Sequence, residues 1–294
     1  MLSEADRQRA EQLHDEAQSL SDDVEALRLY HEALRLDPDR PTTLYNIGLI
    51  HKYRHEWAES LSFNRRAAEL MPEDEATNWN LAIAATALRD WQTARSTWKR
   101  LGLPIEDGSS GIDDDFGITP VRLNPDDGGE VVWGQRIDPV RVRIGNIPYP
   151  SSGFRQGDLV LHDGAPVGAR EWQGREYAVF NVLELFEPSR LSTSEAEIRI
   201  SADLDLQDLY AAFDESGIEY EDWTSNVRIL CRQCSEGHPH EHHDDELKDN
   251  WNDRHALGIA AIDPGQARLI LEKWANNKRQ LLRFEQKLTP PLVH

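Results

Sequence analysis

The chain has 294 residues, 39% of them hydrophobic and nine of them Trp, with a formal net charge of −21. It is too long for one compact helical domain, and it carries enough apolar mass for two or three cores. So acidic a chain repels phosphate backbones, which argues against a nucleic-acid partner, and no stretch has the length and apolarity of a membrane span.

Taken in chain order, MLSEADRQRA has no apolar run of the signal-peptide kind, so export is not expected and the cytoplasm is the expected compartment. The first hundred residues repeat. Ala26–Pro38, Ser60–Pro72 and Ala94–Glu106 are offset by 34 residues. Ala33 and Ala67 fall in register, as do Pro38 and Pro72, while Tyr30, Asn64 and Trp98 share a column. Upstream, Leu13, Ile47 and Leu81 align, with His14, Gly48 and Ala82 beside them. Ala26, Tyr30, Ala33 and Leu34 recur at helical spacing, small residues allow helices to approach, and each proline ends a unit. The expectation is stacked helix pairs over residues 1–106, in units near 7–40, 41–74 and 75–108.

This pattern resembles the tetratricopeptide repeat, a helix–turn–helix unit of the same period. The match is best in the second unit, whereas His14 stands where glycine is usual and Glu106 where the closing proline is. The resemblance implies a scaffold whose first helices line a groove for an extended peptide or a partner protein. Gln12, Asn46 and Asn80 form a column of side-chain amides spaced by 34, able to donate to and accept from a peptide main chain. Tyr45 and Trp79 form the neighbouring column and offer apolar contact. No basic pair suited to a terminal carboxylate accompanies them. The bland alternative is that these amides are simply solvated and the aromatics pack on a neighbour.

DGSSGIDDDFG (residues 107–117) is polar and acidic and reads as a linker. Residues 118–188 read as strands: Val131–Gly134, then Val140–Gly145 with strict alternation, then Asp158–Gly164 running into a turn, then Glu176–Phe186. A small barrel or curled sheet is expected, with His162 and Asp163 as turn formers. Residues 189–294 read as an α+β unit. A strand over Glu197–Asp203 precedes a helix carrying Leu206, Leu209, Tyr210 and Phe213 and closed by Gly217. Two short strands follow, IEYEDW and VRILC, then a strand over His255–Ile262. Asp263 and Pro264 start a last helix expected to reach about Lys287 with Leu271, Trp274, Leu281 and Phe284 on one face.

Between those strands lies CRQCSEGHPHEHHDDE, with both cysteines of the chain. Cys231 and Cys234 are spaced as one half of a zinc site, and His238, His240, His242 and His243 are candidate partners, His238 and His243 having the spacing that finger-like sites use. Only three residues separate Cys234 from His238, far fewer than in finger-like sites, so one ion would require a loop that doubles back. A closed structural zinc on Cys231, Cys234 and two of His238, His240 and His243 is the expectation. A solvated loop and a catalytic metal are the competing readings. No nucleophile elbow, phosphate-binding glycine loop or dinucleotide fingerprint occurs. The sequence therefore points to an interaction scaffold more than to an enzyme. An acidic inhibitor or immunity-type protein neutralising a basic effector, and a metal-dependent enzyme, are the alternatives.

Overall fold

The computed structural model describes residues 3–127, 129–224 and 252–291. It divides into two compact units, residues 1–113 and 114–294. The first is a row of helices: α1 Glu4–Gln18, α2 Asp23–Leu36, α3 Pro41–Tyr53, α4 Trp57–Leu70, α5 Glu75–Ala87 and α6 Trp91–Arg100. Local chemistry starts them. Asp22, Asp74 and Asp90 accept from backbone N–H groups of the first turns of α2, α5 and α6, and Pro41 opens α3. The 34-residue period extends to the backbone itself. His55 and Arg89, in the same column, both adopt left-handed φ (57° and 59°) in the turns after α3 and α5.

Small residues let the helices meet. Ala33 and Ala67 are fully buried, and a Cβ on Gly48 would stand 2.5 Å from Asn64 Nδ2. Asn64 occupies the column that holds Tyr30 and Trp98 in the other pairs. It is itself buried, and its amide donates to Ser60 O at 2.8 Å. In the first pair the Tyr30 ring meets that of His14, centroids 5.4 Å apart, whereas in the second a glycine faces an amide. The stretch after α6 is not loose up to Asp113. The Arg95 guanidinium donates to the carbonyls of Glu106, Ser110 and Gly111 at 2.8–3.0 Å, and Ile105 and Ile112 are buried. The first unit thus ends inside the segment read from sequence as a linker.

The second unit begins with strands β1 Ile118–Arg122, β2 Val131–Arg136, β3 Arg141–Ile144, β4 Leu159–Trp172 and β5 Arg175–Glu187. Each pairs antiparallel with the next, and β5 returns to pair parallel with β1 at Val121 and Phe180, closing the sheet. Val121, Val132, Val142, Ile144, Val160 and Val182 fill its interior. The stretch expected to turn at Asp163–Gly164 does not reverse. β4 continues through a series of register shifts to Trp172, and the chain turns at Gln173 and Gly174, both at positive φ. An Asp-Gly pair suits a bulge as well as a hairpin turn, and here the bulge wins.

A second sheet follows, ordered β7-β8-β6-β9, from β6 Ser192–Arg199, β7 Glu219–Asp222, β8 Arg254–Ala261 and β9 Gln280–Leu288. Helices α7 Asp203–Ser216 and α8 Pro264–Trp274 supply Leu209, Phe213, Ala267, Leu271 and Trp274 to a core shared with Ala196, Ile198, Leu257 and Ile259. The β3–β4 connection of the closed sheet docks here: Trp223 Nε1 donates to Ile147 O at 3.3 Å, and Trp223 packs with Ile147 and Ala260. Trp223 also lies against Gly258, where a Cβ would collide with the indole.

The last helix is shorter than expected and ends at Trp274. Asn276 Oδ1 accepts from Lys278 N and Arg279 N, turning the chain, and Leu281 and Phe284 lie on β9. Ile198 pairs with Leu281 and Glu197 with Arg283, so Leu282 is an extra residue bulged from β9. The bulge puts Leu281 and Phe284 on one face three residues apart, a spacing that imitates a helix. The expected strand at VRILC lies outside the described residues.

Candidate protein-interaction groove

The first helices of the three pairs, α1, α3 and α5, carry the amide and aromatic columns, and the structure treats the members differently. Gln12 is exposed, and its carbonyl is approached by Arg9 Nη1 at 3.4 Å. Asn46 is half-buried and donates from Nδ2 to Tyr30 OH at 3.1 Å. Asn80 is only 5% exposed, and its Oδ1 accepts from Lys52 Nζ at 3.0 Å; Lys52 is itself 2% exposed. The ladder of three equivalent amides is therefore not presented as one surface. Asn80 serves to satisfy a buried ammonium, a bond that a lysine removed from water needs. Trp79 is half-buried and packs edge-on against Trp98, centroids 4.8 Å apart.

Tyr45 and Asn46 instead join residues the sequence did not single out. His14 and Gln18 of α1, Thr42 of α3, Met71 after α4, and Asp74, Ala76 and Thr77 at the start of α5 complete a pocket of about 310 Å3. Two features of the repeat could have revealed it. Thr43 and Thr77 are 34 residues apart and both fully buried, and Thr42 and Ala76 share the exposed column beside them.

The pocket is electrically quiet. His14 is buried with Nδ1 2.9 Å from Thr43 Oγ1, and burial together with the charge of Arg40 holds its pKa below the ordinary imidazole value, so the ring is neutral near pH 7. Burial also pushes the Tyr30 phenol up. Asp74 brings the only carboxylate, and its Oδ1 is engaged in capping α5 through Thr77 N at 2.8 Å. Apart from that carboxylate the walls carry no charge, and Asn46 lines them beside Tyr45.

Two buried histidines of the second unit are held by structural bonds. His162, expected in a turn, lies fully buried in β4. Its Nδ1 donates to Asp163 O at 2.7 Å, and burial lowers its pKa to about 3. His255 and Asp222 form a close pair at 2.7 Å, with Tyr210 OH donating to the same carboxylate at 3.1 Å. The second ring nitrogen of His255 faces Asn252 O at 3.1 Å, so it is occupied and serves no nucleophile. Among the described residues no group of three or more His, Cys, Asp or Glu is placed to hold a metal ion. Cys231, Cys234, His238, His240, His242 and His243 lie outside the described residues. No described helix is long and apolar enough to cross a membrane.

No family model matches the chain. Its N-terminal part is similar to Photosystem I assembly protein Ycf3. The protein from Cyanophora paradoxa is 41% identical over 70 residues, which are 23% of this chain and 40% of that protein. The one from Sorghum bicolor is 49% identical over 59 residues, 19% of this chain and 34% of its own length. The chain thus spans well under half the length of these relatives, and the similarity is carried by the helical repeats.

Proposed function

We propose that this chain is a protein-interaction adaptor of the tetratricopeptide type, whose helical repeats hold an extended segment of a partner protein in the groove of α1, α3 and α5. The observation that carries this reading is the pocket framed by Tyr45, Asn46 and Thr77, whose single charged lining group is the capping Asp74 and whose size admits a large apolar side chain. Similarity to an assembly protein over the same repeats supports it. Gln12 and Asn46 are the amides we assign to the partner's main chain, and Trp79 and Asn80 are assigned to holding the groove in shape.

The test is selection of peptides from a displayed library against the full chain, followed by binding measurements on an Ala76→Trp variant. Ala76 is exposed at the pocket wall, so the indole fills the pocket at little cost to folding. Selected peptides should share one large apolar residue and lose at least tenfold in affinity for the variant. Peptides that bind both proteins equally would remove the groove from the function.

We also propose a structural zinc on Cys231, Cys234 and two of His238, His240 and His243, supported by donor chemistry alone. One equivalent of zinc in the purified chain, lost in Cys231→Ser, is the expected result. A metal-free wild-type protein would end that proposal.

A further inference from the structure

β9 is an outer strand of the β7-β8-β6-β9 sheet and pairs only with β6. Its other edge receives no hydrogen bond from any described residue beyond the sheet itself. An edge of nine residues is a template for another strand unless side chains forbid it. The centre of β9 reads Arg283-Phe284-Glu285. Arg283 and Glu285 are paired with each other on the face away from the α7–α8 core, their side chains 57% and 44% exposed. Phe284 sits on the core side, opposite Ala196.

We infer that β9 is a self-complementary edge through which two copies of this chain pair, antiparallel, into one continuous sheet. With Phe284 opposite Phe284 of the second copy, Arg283 of each chain faces Glu285 of the other, and Leu282 faces Gln286. Two cross-strand ion pairs then flank an aromatic pair on the axis, and cross-strand pairs of these kinds are favourable. Sliding the register so that Glu285 meets Glu285 sets Arg283 against Lys287, like charge against like, and centring it on Gln286 pairs Glu285 with Lys287 but leaves Arg283 facing Thr289, so the first register is the one that matches Arg283 as well. The opposite edge offers no such match. β7 is four residues of Glu-Tyr-Glu-Asp, which repels its own copy in any register. A two-fold pairing of this kind closes on itself and leaves a dimer, not a fibre. The inference is independent of the groove.

Sedimentation velocity of the full chain across the micromolar range tests it, with circular dichroism to confirm folding of each variant. Wild type should be dimeric. Glu285→Arg and Arg283→Glu, each at an exposed position, should each be folded and monomeric, because each brings two pairs of like charges together. Mixed one to one, the two variants should dimerise again, since each then presents the charges the other needs. The double variant R283E/E285R should be dimeric alone. A monomeric wild type overturns the proposal. So does a dimer that survives either single change, or a mixture that stays monomeric.

Discussion

The helical unit and the closed sheet both bury polar groups, but His14 and Lys52 in the one and Asp138 in the other join different things. In the helical unit two buried side-chain bonds cross from one helix pair to the next: His14 to Thr43 is 29 residues and Lys52 to Asn80 is 28. In the closed sheet the fully buried Asp138 acts locally, although the equally buried Asp158 also accepts from Ser189 N, 31 residues on. Asp138 Oδ1 accepts from Val140 N and Arg141 N at 2.8 and 2.6 Å, and Oδ2 pairs with Arg141 Nε at 2.5 Å. A row of helix pairs has only neighbour interfaces to set its register, so polar groups placed across them fix one pair against the next. A closed sheet already has its long-range order in the strand ladder, and Asp138 there makes a tight turn between β2 and β3.

That contrast predicts where a single polar deletion hurts most. Asp138→Ala removes the carboxylate to which Arg141 Nε, 4% exposed as a residue, and two backbone N–H groups donate. Breaking such a pair from one side costs roughly 3–5 kcal/mol. Asp138→Asn, which keeps an acceptor for the backbone, should cost clearly less. Chemical denaturation of the three proteins would decide, and equal losses in both variants would mean that the charge, not the turn, is what matters.

The helical unit should respond more softly and through pairs of residues. Gly48→Ala pushes a Cβ onto the buried Asn64 amide and should cost about 1–3 kcal/mol as overpacking. Asn64→Ala removes that amide, so the double variant should be more stable than the two separate losses predict, by about 1 kcal/mol. Simple additivity in the denaturation midpoints would show that the close approach of α3 and α4 is not set by this contact.

The same contrast explains what could be read in the chain before its fold was known. The helix pairs announce themselves because their period is written locally and three times, down to Pro38 and Pro72. Burial of Asn80 was not legible, because its partner Lys52 stands outside the amide column and only the packed repeats bring the two together. In the sheet-rich unit the alternation of Val140, Val142 and Ile144 was plain. The failures there came from bulges. One at Leu282 gave β9 the spacing of a helix, and those after Leu161 made a strand interior at His162 look like a turn. A bulge changes the phase of a strand by one residue, and nothing in local composition marks it apart from a turn or a helix.

The smallest expected effect separates two parts of the sheet-rich unit by pH. His255 has acceptors at both ring nitrogens, and its hydrogen bond to Asp222 raises its pKa above the ordinary 6.5, against the opposing pull of burial; Asp203 adds to the same negative field. Its contribution to stability is therefore complete below pH 6.5 and is lost as pH rises through the raised value. His162 in the closed sheet has the opposite sign. Burial drops its pKa to about 3, so its contribution is whole above 6.5 and fades as pH falls from there toward 3. Replacing His255 with Asn should lower the melting temperature below pH 6.5 without changing its slope there, and flatten its fall on the alkaline side. A variant whose melting temperature still falls in parallel with wild type above pH 6.5 would show that the Asp222–His255 pair does not hold its proton in the folded chain.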